Sequence, residues 1–320
     1  MRSFAVQKAS ALFCLGVCAL LVSSVAVAKP KKSSKQPKSP QPNLSYLEKK
    51  LTKSGFSEPF IRDVMASYEP RDFGGVVELN VLLFLRKSDY HGPQVNEEAE
   101  REVRKFSAAN RESLEKAELT NKVPSAVIAS LLWIESRHGK NAGDFHVPSV
   151  YLHLLQAPRA PVQKYLLTRT NRYTDRTTRA DRQEIIARTH RKAEWALTEL
   201  RALERIHRWK WKMGSEFRGS FSGAFGIPQF IPSSYVKWAR SIKADENPSL
   251  QPNLSRPADS IMSVAYYLRD HGWKSEEADS HLAALMTYNN SRDYATAILA
   301  LAEKAGVASH VNRATASDGQ

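Results

Sequence analysis

The sequence predicts a mainly α fold, in which a larger helical domain over 121–305 follows an N-terminal helical extension over 43–120. Three observations carry this. Apolar residues recur at spacings of three and four through most of 43–305, the period of a helix with one face on a core. No strand–helix alternation of the βαβ kind runs along the chain. No segment repeats at a fixed period, which excludes solenoids and propellers.

The elements follow in order. Tyr46, Leu47 and Leu51, then Phe60, Ile61, Val64 and Met65, mark two short helices, with Ser54-Gly55 as the turn between them. Segment 76–85 is apolar throughout and fits either a strand or a helix. Segment 97–119 reads as one charged helix with a thin apolar stripe. Pro124 suits the first turn of the next helix, which runs to about His138 and stops at Gly139. Segment 157–178, rich in Pro, Arg and Thr, predicts a surface loop. From 181 to about 211 a long basic helix turns Ile185, Ile186, Ala193, Ala196, Leu197, Leu200, Leu203 and Ile206 inward, leaving its arginines and lysines in solvent or against an anionic ligand. Helices over 260–269 and 282–305 complete the body, and 306–320 is a polar tail.

Residues 1–28 read as a secretory signal peptide. Arg2 and Lys8 form a basic start, an apolar stretch follows, and Ala26-Val27-Ala28 offers a cleavage site after Ala28. Lipid anchoring at Cys18 fits poorly, because the apolar run continues well past it. Both cysteines, Cys14 and Cys18, lie in this segment, so the mature chain forms no disulfide and no thiolate metal site. Residues 29–42, KPKKSSKQPKSPQP, carry no apolar side chain and form a solvated Lys/Pro-rich linker. The whole chain has a formal charge of +14, and losing Arg2 and Lys8 leaves it strongly basic. That excess points to a polyanionic partner, and export excludes nucleic acid in favour of an anionic wall or membrane surface.

Chemistry concentrates in three stretches. In Trp133-Ile134-Glu135-Ser136-Arg137-His138-Gly139, positions 132, 131, 128 and 127 before Glu135 are Leu, Leu, Ile and Val, so its carboxylate shares the core-facing stripe. A carboxylate placed there finds a partner or keeps its proton near neutral pH, as a general acid must. His138, three residues on, is close enough to touch Glu135, but its default reading is a solvated histidine. Between 218 and 235 the chain reads RGSFSGAFGIPQFIPSSY, too rich in Gly, Ser and Pro for a helix and too apolar for an exposed loop. Such a segment lines a ligand site, with Ser220, Gln229 and Tyr235 to hydrogen-bond and Phe225 and Phe230 as flat surfaces for sugar rings. The third stretch is TYNNSRDY, 287–294.

Other sites fail on inspection. In a calcium-loop register from Asp245, Leu250 stands where glycine belongs and Arg256 where the last glutamate belongs. There is no HExxH, and Phe221 fills the nucleophile position of Gly219-Ser220-Phe221-Ser222-Gly223. No metal or cofactor is expected.

The ESxxGxxxG run from Glu135 to Gly143, the GSFSGAFGIPQFIPSSY block and the later TYN resemble the MltB-type lytic murein transglycosylases, glycoside hydrolase family 103. The likeness extends over about 46–305. It implies a lysozyme-like catalytic domain, a monomer, and cleavage of the MurNAc-β-1,4-GlcNAc bond of peptidoglycan glycan strands with closure of a 1,6-anhydro ring. By position, Glu135 matches the family's sole acid/base. Ser220 and Gln229 match its cleft-lining polar residues, and Tyr288, Asn289 and Tyr294 match its Tyr-Asn segment opposite the acid. Arg191 and Lys192 match a basic pair directed at peptide-stem carboxylates. The calcium loop of some relatives is absent.

The chain departs from the family at Asp144 and at PSVYLHLL, 148–155, which replaces an Ala-Leu-rich helix start. Asp144 is either a turn or cap residue, or a second acid that makes the enzyme a lysozyme-type hydrolase (muramidase) working with Glu135 or that favours deacetylated glycan with a free amine. A third reading is a wall-binding protein without catalysis.

Overall fold

A computed structural model of the chain describes residues 38–86, 95–209, 217–247 and 249–306; the expected signal peptide, most of the linker and the polar tail lie outside them. Among the described residues the fold is helical, with one small sheet. The helices are α1 (Leu44–Lys53), α2 (Glu58–Ala66), α3 (Phe73–Leu82), α4 (Glu97–Ala109), α5 (Arg111–Asn121), α6 (Ser125–Ser136), α7 (Val147–Leu155), α8 (Ala160–Leu167), α9 (Arg179–Arg208), α10 (Pro232–Trp238), α11 (Pro257–Asp270), α12 (Ala278–Tyr288) and α13 (Arg292–Ala305). Strand β1 (Phe145–His146) pairs antiparallel with β2 (Arg218–Gly219), Phe145 opposite Gly219 and His146 opposite Arg218.

The ambiguous segment 76–85 is helical: α3 ends in a 3₁₀ turn over Leu83–Leu85. The single helix expected over 97–119 is two. Asn110 leaves helical geometry at φ −121°, and its amide donates to the Phe106 carbonyl at 2.9 Å, ending α4 where the apolar stripe continues. Likewise 282–305 divides. Asn289 is extended, and the Ser291 hydroxyl caps α13 by accepting the Tyr294 N–H at 3.3 Å.

The expected surface loop over 157–178 is instead a folded flap. It holds α8, whose Val162 and Leu166 join Phe73, Val77, Val81, Leu82 and Ile185 in a second small core. Glu78 fastens it. This buried carboxylate accepts from Tyr165 and Arg169 at 3.0 and 3.1 Å, and from Arg172 and Tyr173 at 3.0 and 3.2 Å. Four donors satisfy the ion that burial would otherwise penalise.

Two long-range features position the site. Helix α9, about 45 Å long at 1.5 Å per residue, starts on a capping box between Thr178 and Asp181. Its inner face buries Ile185, Ala193, Ala196, Leu200, Leu203 and Ile206, while Ile186 and Leu197 are half-buried. Helix α6 is buried on every side, packed by α4, α5, α11 and α13. Its first turn is satisfied from outside: Glu118 of α5 accepts both the Ser125 N–H and hydroxyl, at 3.1 and 2.6 Å. One continuous core runs from Leu47 to Ala305 around α6.

Candidate active site

Glu135 is the second-last residue of α6 and is 5 % exposed. An enclosed helix has no solvent face to give it, so the carboxyl must be met from another element. Tyr294, buried near the start of α13, donates its hydroxyl to Glu135 Oε1. Burial pushes the Glu135 pKa up to about 8, and the Tyr294 hydroxyl opposes that rise. At neutral pH the carboxyl therefore holds its proton.

Behind Glu135 the chain turns sharply. Arg137 and His138 adopt left-handed conformations, followed by Gly139. The sequence expectation of a solvated His138 is not met: the half-buried ring stacks on Phe106 of α4 at 3.9 Å and donates from Nε2 to the Ala129 carbonyl at 2.9 Å. Ser136 ties this turn to the glycine-rich segment, its hydroxyl donating to the Ile227 carbonyl at 2.6 Å and accepting the Gly139 N–H at 2.9 Å.

That segment is a series of tight backbone loops between β2 and α10. Phe225 and Phe230 exchange backbone hydrogen bonds at 2.9 and 3.1 Å, and the Ser220 N–H donates to the Ala224 carbonyl at 2.8 Å. Ser220 is buried and its hydroxyl accepts the Ala224 N–H, so as folded it shapes the loop. Gln229 sits at φ 52°, with its amide donating to the carbonyls of Ala142 and Gly226 at 3.0 and 2.9 Å. It thereby fastens the glycine-rich segment to the loop that follows Glu135. Gly223 is required at φ 82°, because a Cβ there would come within 2.5 Å of the Tyr151 ring.

As folded, the two phenylalanines expose almost no ring surface on which a sugar could rest. Phe230 is 2 % exposed, its ring wedged beside Tyr267 and Tyr288 at 5.8 and 5.9 Å, and Phe225 packs against Phe217 and Tyr235. Both are apolar support behind the loop. Tyr288 is half-buried and donates its hydroxyl to the Pro228 carbonyl, and Asn289 is buried at the break between α12 and α13. Hydrogen bonds thus connect the end of α6 and the Ile227–Gln229 backbone with Tyr288, while Tyr294 reaches Glu135 directly.

The remaining expected residues lie further out. Arg191 is exposed and pairs with Glu184. Lys192 is half-buried, with its ammonium 4.4 Å over the Trp195 ring; burial, then the nearby Arg188, pull its pKa down to about 8. Trp195 contacts Tyr151, whose hydroxyl donates to the Gly223 carbonyl at 3.0 Å, so this part of α9 backs onto the glycine-rich segment. Asp144 has its side chain 85 % exposed and its carboxylate 3.7 Å from Arg71. It borders a shallow surface depression with Glu69, Arg71, Asp72, His146 and His153, and no hydrogen bond or ion pair joins it to Glu135. Arg218 grips Glu69 through two nitrogens at 2.8 and 2.6 Å and the Asp144 carbonyl at 3.2 Å, fixing β2. Among the described residues no group of three or more His, Cys, Asp or Glu is placed to hold a metal ion.

Sequence reasoning passed over Ser136, Tyr151 and Glu199 as supports of the site. Glu199 accepts both the Ser233 N–H and hydroxyl at 2.8 Å, anchoring the start of α10, and burial pushes its pKa up to about 6. The one signal for it in the sequence is an acid on the inner face of α9.

The family model described as "Transglycosylase SLT domain" matches residues 39–283. Among curated proteins, the membrane-bound lytic murein transglycosylase B of Escherichia coli K12 is 39% identical over 83 residues, 26% of this chain and 22% of that protein. The matched stretch is thus under a quarter of that relative's length. The solved structure of the E. coli lytic transglycosylase Slt35 with calcium superposes with a TM-score of 0.61 at 19% identity, covering 83% of this chain and 93% of that one. SltB3 of Pseudomonas aeruginosa, solved with NAG-anhNAM-pentapeptide, gives 0.59 at 16% identity over 82% of this chain and 78% of that one. These likenesses show the fold, and the family match over residues 39–283 shows that the chain belongs to the transglycosylase SLT domain family.

Proposed function

We propose that the protein is a lytic transglycosylase that cleaves the MurNAc-β-1,4-GlcNAc bond of peptidoglycan with Glu135 as its only acid/base. The observation that carries this is a buried carboxyl met by the Tyr294 hydroxyl and, among the described residues, by no second carboxylate, with burial holding its pKa up at about 8. Glu135 gives its proton to the glycosidic oxygen as the C1–O bond breaks. The positive charge left at C1 is shared with the sugar's own acetamido oxygen. The Glu135 carboxylate, steadied by the Tyr294 hydroxyl, then takes the proton of the C6 hydroxyl while O6 bonds to C1, which restores the acid and closes the anhydro ring. Hydrolysis in two steps or one needs a second carboxylate, about 5 Å or about 6.5–9.5 Å away. An exposed Asp144 paired with Arg71 gives that reading no support.

Membership of the family and the anhydro-sugar ligand of the SltB3 structure agree with this product class. The setting would be the cell envelope, reached through the signal peptide read in residues 1–28, with the protein acting as a monomer on glycan strands; no helix among the described residues is long and apolar enough to cross a membrane. Mass spectrometry of digested sacculi tests the reaction. Anhydro-muropeptides are expected, and reducing-end products alone refute it. Glu135→Gln is expected to abolish cleavage while leaving binding to sacculi, and full cleavage by that variant refutes the role of Glu135.

A further inference from the structure

The end of α6 is built in an unusual way. A helix commonly closes on one left-handed residue, usually glycine or asparagine. Here Arg137 at φ 50° and His138 at φ 56° are both left-handed before Gly139 at φ 89°. Side chains resist that conformation, so it persists only where the surroundings hold it, and such places cluster at functional sites.

The holding is specific. The Arg137 and His138 N–H groups donate to the Trp133 and Leu132 carbonyls at 2.8 and 3.2 Å, closing the chain back over the turn that bears Glu135. The His138 ring folds back along α6 to the Ala129 carbonyl, which fixes its hydrogen on Nε2, and lies flat on Phe106 with planes 10° apart. Trp133 meets the same ring at 5.3 Å and carries the Arg137 guanidinium on its own face at 5.4 Å. The charged groups around are Glu98 beside Arg137, and Glu102, paired with Lys140. Burial, the largest influence, lowers the His138 pKa to about 4. The ring is therefore a neutral wedge at neutral pH.

We infer that His138 is a positioning residue for the chemistry of Glu135: its imidazole, held between Phe106 and the Ala129 carbonyl, locks the left-handed end of α6 and keeps the Glu135 carboxyl against Tyr294 in a dry site. Three anchors then converge on the end of α6. His138 ties the helix end to α4, Ser136 ties it to the Ile227 carbonyl, and Tyr294 meets the carboxyl from α13. Loosening the α4 anchor lets the last turn move and water enter. A displacement of about 1 Å in a reacting group is enough to cost a hundredfold in rate.

This inference rests on Glu135 being the acid/base, and the experiment separates the two. Full-length His138→Ala, His138→Asn and Phe106→Leu are compared with wild type and Glu135→Gln on solubilised glycan strands, measuring kcat, KM, the alkaline limb of kcat against pH, and the melting temperature. The expected result for His138→Ala and Phe106→Leu is a kcat lower by about tenfold or more, a KM little changed, and an alkaline limb moved to lower pH. His138→Asn, which tolerates the left-handed backbone and keeps an amide donor, is expected to retain more of both. If His138→Ala fails to fold, Phe106→Leu and His138→Asn carry the test. Folded variants with wild-type kcat and limb overturn the role, as does a rate lost only in proportion to unfolding with the limb unmoved. Activity surviving in Glu135→Gln instead overturns the acid/base reading itself.

Discussion

Replacing Glu135 by glutamine is expected to stabilise the protein by an amount that grows with pH. In the folded state the carboxyl titrates at about 8, against 4.5 for the ordinary group. A raised folded pKa contributes stability that is fully present below 4.5 and is lost as pH climbs towards 8, because the unfolded chain releases the proton and the folded chain does not. At about 1.4 kcal/mol per pH unit, that loss is about 1 kcal/mol at pH 5 and about 3 kcal/mol at pH 7, and it levels off near 5 kcal/mol above pH 8. Glutamine does not titrate and still offers an oxygen to the Tyr294 hydroxyl, so it escapes the loss. For a fold of this size 1 kcal/mol moves the melting temperature by about 2–4 °C, which makes the advantage roughly 2–4 °C at pH 5 and 6–12 °C at pH 7. Scanning calorimetry of both proteins at pH 5, 6, 7 and 8 at constant ionic strength measures it. Any effect of the substitution that does not titrate cancels in the comparison across pH. A difference that stays flat from pH 5 to 8 refutes the reasoning, since Glu135 would then titrate like an exposed carboxyl.

Tyr294→Phe removes the hydroxyl that holds the Glu135 pKa down, so the alkaline limb of the pH–rate profile should move up while the rate falls by about tenfold to a hundredfold, the loss of one hydrogen bond to a charged group. Gly223→Ala forces a Cβ onto the Tyr151 ring at a positive φ and should cost roughly 2–4 kcal/mol, read by urea unfolding. Glu78→Ala strips the flap of its anchor and leaves Arg169, largely buried, without its counter-ion; about 3–5 kcal/mol of stability is at stake, with proteolysis over 157–178 as the local readout. Wild-type protease resistance in that variant would show that the flap is held by apolar contacts alone.

What the sequence reveals and what it hides have physical reasons. Helix α9 is legible because thirty residues repeat one period. Glu135 is legible because a lone carboxylate stands in an apolar stripe. That α6 is enclosed on all sides is not, since its serines look fit for solvent; Ser125 and Ser136 are instead spent on Glu118 and the Ile227 carbonyl. The break at Asn110 hides because Val103, Phe106, Leu114 and Ala117 keep the stripe running through it, and only Asn110's own backbone, at φ −121°, departs from the helix. The flap over 157–178 reads as loop because the groups it packs on, Glu78 and the side chains of α3, lie some ninety residues earlier. Phe230 reads as a sugar platform because a loop aromatic looks exposed until Tyr267 and Tyr288, from two distant helices, close over it.

The same burial that costs stability suits both halves of the proposed reaction. Glu135 must first donate a proton and then recover one from a sugar hydroxyl, a far weaker acid than water-exposed carboxyls. A group titrating at about 8 is protonated at neutral pH for the first step, and its conjugate carboxylate is a stronger base than an ordinary one for the second. Burial alone would raise the energy of the ionised form between the steps. Tyr294 counters this where the charge appears, because its hydroxyl bonds a carboxylate oxygen more strongly than a neutral one. With the charge met by a neutral donor, a second carboxylate beside Glu135 would only repel the ion and raise its pKa further. On this reasoning the proposed mechanism asks nothing of Asp144, whose exposed carboxylate lies beside Arg71.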